Sequence, residues 1–160
     1  AFGDTFVLPE EQIQSDTMLI PGTDGQKMSK SRNNYIDIFL PEKLLRKQIM
    51  SIVSDSTPLE EPKNPDTCHT FALYKLLADD AQTDAMRANY IGGNYGYGHA
   101  KQALYELILE KFAVQRTKFQ ELMDNPSQID AALSIGASKA KEVAAKVLKR
   151  TRSKLGYTIS

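Results

Sequence analysis

Lys27 and Lys30 stand three residues apart in Lys27-Met28-Ser29-Lys30-Ser31, and each has a serine within two residues. A lysine carries a compact charge on a flexible stem, while serine hydroxyls and backbone N–H groups add neutral donors. Gly22 and Gly25, just upstream, allow positive φ and a close backbone approach to a ligand. The set suits the grip of a mobile loop on a polyphosphate. The same residue types also make up ordinary polar surface loops, so the reading depends on what positions the motif.

Thr17-Met18-Leu19-Ile20 is a short apolar run stopped by Pro21-Gly22, which predicts a buried strand feeding the loop. Four residues cannot form a sheet alone. The one further strand signal is the alternation at Tyr35-Ile36-Asp37-Ile38, so the supporting sheet is expected outside this chain. From Pro41 onward the pattern is helical. Pro41 suits a first helical position, and Leu44, Leu45, Ile49 and Ile52, with Gln48, keep the helical period. Residues 54–65, with Pro58, Pro62 and Pro65, predict a stiff linker. Asp66 is the expected cap of a helix whose apolar face holds Phe71, Leu73, Leu76 and Leu77.

A helix near 82–91 is expected to end in the glycine-rich run 92–98, where four glycines forbid helix and favour an interhelical turn over an anion cradle. A long helix is expected over 99–124, with Ala100, Leu104, Leu107, Ile108, Phe119 and Leu122 on one face and Lys111 and Gln115 interrupting it. Asn125-Pro126 marks a restart, Gly136 a division, and Ser138 the cap of a last helix. In that helix Ala140, Val143, Ala144, Val147, Leu148 and Thr151 share a face, with Lys139, Lys146 and Arg150 along a flank.

At 160 residues, 41% apolar and 25% charged, the chain fits one domain, or one small domain plus part of another, with enough apolar material for a core. No apolar segment reaches membrane-spanning length, and no secretory leader is evident. Cys68 is the sole cysteine, and His69 and His99 are the only histidines. An internal disulfide is therefore impossible, and no metal site is expected. Cys68 reads as a small buried hydrophobe, and Asp24 as an organiser of the loop or a simple turn former. A reducing cytoplasm is the expected compartment. The start at Ala1, without an initiator methionine, fits a processed end or a piece of a longer protein.

A formal net charge of zero hides a segregation. Residues 1–20 carry Asp4, Glu10, Glu11 and Asp16 without a base, while residues 139–154 carry seven lysines and arginines against Glu142. The basic stretch reads as a solvated helix face or as a surface that meets phosphates.

Five blocks follow one another: Pro21-Gly-Thr-Asp-Gly-Gln-Lys-Met-Ser-Lys-Ser31, Leu44-Leu-Arg-Lys-Gln-Ile-Met-Ser-Ile-Val-Ser-Asp-Ser56, Pro62-Lys-Asn-Pro-Asp-Thr-Cys68, Tyr95-Gly-Tyr-Gly-His-Ala-Lys101 and Gly136-Ala-Ser-Lys-Ala-Lys141. In this order they resemble the C-terminal part of class I aminoacyl-tRNA synthetases, closest to the bacterial-type tryptophanyl enzymes. The tyrosyl branch shares the phosphate loop but lacks the proline-linked blocks. The resemblance implies a mainly α fold, a helical bundle domain carrying a short strand-and-loop remnant of a Rossmann-type α/β catalytic domain. It divides the chain into residues 1–40, the end of the catalytic domain with the phosphate loop at 21–31; 41–125, a helical tRNA anticodon-recognition domain; and 126–160, C-terminal helices returning toward the catalytic domain.

The implied reaction joins tryptophan to ATP, releases pyrophosphate, and passes the amino acid to the tRNA for tryptophan. Lys27 and Lys30 would be the catalytic cations, holding the β- and γ-phosphates, with Ser29 and Ser31 as donors. The Met28 backbone would lie against the adenine, and Met18 would add a second backbone contact. Mg2+ would accompany the phosphates of ATP. The partners implied are ATP, tryptophan, tRNA and, for the intact enzyme, a second copy of itself, with no membrane. The family's His-Ile-Gly-His-type motif and tryptophan pocket do not occur in this sequence, so the 160 residues alone are expected to be inactive. Tyr74, Arg87, Tyr90 and Arg116 are candidates to contact unstacked anticodon bases, though each is more readily a core or surface residue. The alternative is a non-catalytic helical module that binds RNA or a protein.

Overall fold

The computed structural model describes Gly3, residues 5–13 and residues 19–157. The chain divides into two compact units, Ile13–Phe119, and Ala1–Gln12 together with Gln120–Ser160. The larger unit contains helices α1 (Glu42–Met50), α2 (His69–Lys75), α3 (Asp80–Gly92) and α4 (Tyr97–Lys111), and most of α5 (Ala113–Asp124). The smaller unit is dominated by α6 (Pro126–Lys154).

Both α1 and α2 pack on α4. Leu45 and Ile49 of α1, with Ile52 just beyond it, meet Phe71 and Leu73 of α2, Met86 and Tyr90 of α3, and Leu104 and Ile108 of α4 in one buried cluster. Each large aliphatic side chain in it contributes about 1.5–3 kcal/mol relative to exposure. The helical period thus holds at Leu45 and Ile49; Leu44 is exposed, and Ile52 is buried but lies beyond the helix end at Met50. Pro41 stands one place before the helix, as its N-cap.

Several expected boundaries move, each for a local reason. Asn64, not Asp66, caps the chain here, its side chain accepting from the Asp66 N–H of the 3-10 turn Pro65–Thr67. Cys68 is then the N-cap of α2, and Asp66 instead pairs with Arg87 at 2.9 Å. Leu76 lies beyond α2 and is exposed. α3 begins at a capping box in which Asp79 accepts from Gln82 N–H and the Gln82 side chain accepts from Asp79 N–H. The turn between α3 and α4 is narrower than the glycine run implies, since Gly92 ends α3 and Gly98 lies inside α4. Left-handed Gly93 and Asn94 make the reversal.

The helix expected over 99–124 is two helices, broken at Phe112 where the apolar stripe is interrupted. Residues 54–65 fold around a buried cation. Lys63 Nζ donates to the carbonyls of Pro58, Leu59 and Glu61.

No strand occurs among the described residues. Thr17 and Met18 lie outside them. Residues 35–38 form no ladder because Gln48 of α1 takes their backbone groups, its Nε2 donating to Tyr35 O and its Oε1 accepting from Asp37 N–H. One isolated antiparallel bridge, Pro21 to Lys27, closes the loop between them.

In the smaller unit, Asn125 and Pro126 do restart the helix. Gly136 does not divide it. The helix runs unbroken for 29 residues, and Ser138, in place of capping, donates its hydroxyl to Ser134 O. None of its side chains is buried. Arg150 Nε donates to Thr5 O at 3.0 Å. No helix of the described residues is long and apolar enough to cross a membrane.

Candidate functional site

The loop at 20–34 is a small closed hairpin. Gly22 N–H donates to Gln26 O at 2.7 Å, Gly25 N–H to Gly22 O at 3.0 Å, and Met28 N–H to Ile20 O at 2.8 Å. A 3-10 turn follows at Lys30–Arg32, and left-handed Asn33 turns the chain inward.

Asn34 sits at the centre, only 2% exposed. Its Oδ1 accepts from Ser29 N–H at 2.7 Å, its Nδ2 donates to Asp24 Oδ1 at 2.7 Å and to Lys27 O at 3.1 Å, and its carbonyl accepts from Thr23 N–H at 2.8 Å. One buried amide therefore joins both sides of the hairpin to the turn that carries Lys30. Asp24 organises the tip, as one of its two expected readings had it. Its Oδ1 also accepts from Gln26 N–H, and the Asn34 amide, followed by that N–H, holds its carboxyl below the ordinary 3.8.

The two glycines approach side chains of the protein itself. A Cβ on Gly22 would collide with Asn34, and one on Gly25, at φ +78°, would fall on the His69 imidazole. A further tie, Val53 N–H to Thr23 O at 2.8 Å, fastens the hairpin to the segment after α1. The segment leaving the loop is held equally well. Arg116 of α5 donates to the Ile38 and Leu40 carbonyls, and Phe39 stacks on Phe119 at 4.6 Å.

On this frame Lys27 and Lys30 are exposed, and neither ammonium has a partner among the described residues. Ser29 and Ser31 bring their hydroxyl oxygens to 2.8 Å of each other. Met28 turns its side chain into the apolar cluster, towards Ile20, Ile36, Leu104 and Ile108, and its N–H is already engaged. Two unpaired cations and two hydroxyls thus lie together beside one turn. Among the described residues no three His, Cys, Asp or Glu side chains gather to hold a metal ion.

The anticodon candidates are all engaged inside the protein. Tyr74 and Tyr90 are buried, and Tyr90 Oη lies 3.2 Å from Cys68 Sγ. Arg87 pairs with Asp66 and covers the Phe71 ring, and Arg116 holds the loop exit. Cys68 is a buried free thiol, as its apolar reading had it. His99 Nδ1 accepts from Gly96 N–H.

A cleft of about 370 Å³ lies between Val53–Asp55, Thr67–His69 and Tyr97. Within it Tyr97 donates to Asp55 at 2.7 Å; burial, reinforced by that carboxylate, pushes Tyr97 up to about 12. Thr57 and Tyr97 hold Asp55 below the usual carboxylate range. At neutral pH the pair is thus phenol and carboxylate, a fixed wall of the cleft.

Sequence reasoning passed over Asn34 and gave His69 no role beyond its place in the histidine count. Asn34 had one available signal, a polar amide directly after a left-handed-prone asparagine. His69 had none, because its partner lies 44 positions away in the chain.

Residues 1–113 match the family described as tRNA synthetases class I (W and Y). The chain is 47% identical over 156 residues to the tryptophan–tRNA ligase of Rhodopirellula baltica, spanning 98% of this chain and 49% of that protein. It is 42% identical over 155 residues to the tryptophan–tRNA ligase of Campylobacter jejuni, again with 49% of that protein covered. The crystal structure of the Campylobacter jejuni tryptophanyl-tRNA synthetase complexed with ADP and tryptophan superposes with a TM-score of 0.84 over 97% of this chain and 49% of its own. The chain spans about half the length of the curated relatives it matches. With residues 1–113 in that match and the lysine loop among them, the chain belongs to the class I tRNA synthetases of the tryptophan and tyrosine branch.

Proposed function

We propose that this chain supplies the ATP-phosphate loop and the tRNA-binding helices of a tryptophan–tRNA ligase. The observation that carries the reading is the pair Lys27 and Lys30, exposed and unpartnered on a loop whose base is tightly framed. Attack of the tryptophan carboxylate on the α-phosphorus leaves charge growing on the departing pyrophosphate. Cations placed where charge grows lower that barrier. Lys27 and Lys30 meet the β- and γ-phosphates, and Ser29 and Ser31 donate to their oxygens. The Met28 backbone lies along the adenine, with Met18 as a second backbone contact. The loop moves as a unit when pyrophosphate leaves.

In this reading residues 1–40 close the Rossmann-type catalytic domain, 41–125 recognise the anticodon, and 126–160 return toward the catalytic domain. The intact enzyme works in the cytoplasm as a homodimer, and the 160-residue chain alone does not activate tryptophan. Tryptophan is favoured over tyrosine because the relatives named above are all tryptophan–tRNA ligases.

The test is tryptophan-dependent pyrophosphate exchange by the full-length polypeptide carrying Lys27→Met and Lys30→Met. Loss of one such electrostatic donor typically costs about 10²–10³ in rate, so the double variant should fall by at least that factor. Exchange at the unsubstituted rate overturns the reading, as does exchange above background by this chain alone.

A further inference from the structure

We infer that His69 is a positioning residue for the phosphate loop, a post on which the Gly25 end of the hairpin is seated. Its catalytic consequence rests on the reading above, but the contact itself does not.

His69 is the first residue of α2, and the chain on either side of it is fixed. Cys68 is buried against Tyr90, and Thr70 is fully buried. The Asn64-capped turn just before them sets where α2 begins. The imidazole therefore projects from a rigid base, and it meets the loop at the one residue of the tip that has no side chain. A methyl group at Gly25 would overlap the ring at Nε2, Cδ2 and Cε1. The positive φ of Gly25 places its Cα there.

The hairpin has two further supports, the Asn34 amide beneath it and the Thr23–Val53 bond at its flank. Asn34 holds the two sides together, and the flank bond allows rotation about one point. The His69 contact is the second point, and two points fix a tilt. Lys27 follows Gly25 by two residues, so a tilt about the flank bond carries its ammonium with it. Displacements of about 1 Å in a positioned group can cost about 10²-fold in rate.

Trypsin cuts after Lys27, Lys30 and Arg32, all exposed, so its rate at these three bonds measures how often the loop opens. In this chain, His69→Ala should raise that rate about fivefold, as expected when a local contact of ordinary strength is lost and opening is fast relative to cleavage. His69→Phe, which keeps a flat ring in place, should restore most of the protection. Gly25→Ala should raise nicking as well. Because both substitutions remove the same contact, the double variant Gly25→Ala/His69→Ala should not exceed the worse of the two singles.

Additive effects, or nicking unchanged in His69→Ala, overturn the post. In the full-length polypeptide, His69→Ala should lower kcat for pyrophosphate exchange about tenfold with KM for tryptophan unchanged, since the tryptophan pocket is not displaced. A rise confined to KM for tryptophan also overturns it. The lysine double variant reports on the ligase reading separately. Should it leave exchange intact while the nicking results stand, the seat survives and the ligase reading falls.

Discussion

The lysine loop at 20–34 and helix α6 reach order by opposite routes. The loop has almost no regular structure, yet side chains hold it from within, the Asn34 amide and the Asp24 carboxylate, and two groups hold it from elsewhere in the chain, the Val53 N–H and the His69 ring. α6 is regular for 29 residues, yet buries none of its side chains. Regularity and fixity are therefore different properties. A segment ordered by tertiary contacts loses its shape when one partner goes, whereas a segment ordered by propensity changes by small increments spread along its length.

The sharpest way to break that contrast is Asn34→Ala. The substitution strips acceptors and donors from Ser29, Asp24 and Lys27 at a site only 2% exposed. A buried polar group left unsatisfied costs about 1–3 kcal/mol, so urea unfolding of the chain should show a loss in that range. Tryptic nicking at Lys27 and Lys30 should rise together with it. A loss below about 0.5 kcal/mol, the scatter of ordinary surface substitutions, would mean that the amide is incidental and the loop orders itself.

How much of this was legible in the sequence follows the same division. Order that depends on near neighbours could be read: the α1 period through Leu45 and Ile49, the Asn125-Pro126 restart, the turn between α3 and α4, the lysine–serine motif itself. Order that depends on far neighbours could not. Asp66 has the chemistry of a cap, but Asn64 is already in place two residues earlier and Arg87 takes the carboxylate. Residues 35–38 alternate like a strand, but Gln48 intercepts their backbone. Gly136 looks like a division only if something waits to break the helix, and nothing lies within 4 Å of where its Cβ would be. Within the site, the cations were visible and their frame was not, because Asn34 acts through a non-repeating set of bonds to Thr23, Asp24, Lys27 and Ser29, and His69 acts from outside the loop.

Asp24 offers a smaller test of the loop side. Hydrogen bonds from Asn34 and Gln26 favour its charged form and lower its folded value below 3.8. With the folded value depressed, whatever the carboxylate contributes is present above the unfolded value and is lost as pH falls through the folded one. The Gln26 amide resonance, followed by NMR, should titrate with a midpoint under 3.8 and stay flat in Asp24→Asn. A midpoint at or above 3.8 would show that the carboxylate is not engaged in solution and would remove one of the loop's four supports.

Gly136→Ala tests the helix side, where the expected effect is small and of opposite sign. Glycine inside a helix is less favourable than alanine by roughly 0.5–1 kcal/mol, chiefly through the entropy of the unfolded chain. That benefit is realised only where the methyl group meets nothing. At Gly136 the space is open, and α6 buries no side chain that could be displaced. Helical content and the thermal midpoint, followed by circular dichroism at 222 nm, should therefore rise slightly. The same glycine-to-alanine exchange at Gly25 opens the loop, because there the methyl must overlap the His69 ring at a positive φ. A fall in the midpoint for Gly136→Ala would mean that the glycine face of α6 is packed in solution. The last helix would then be held by tertiary contacts, as the loop is, and the contrast between the two would fail.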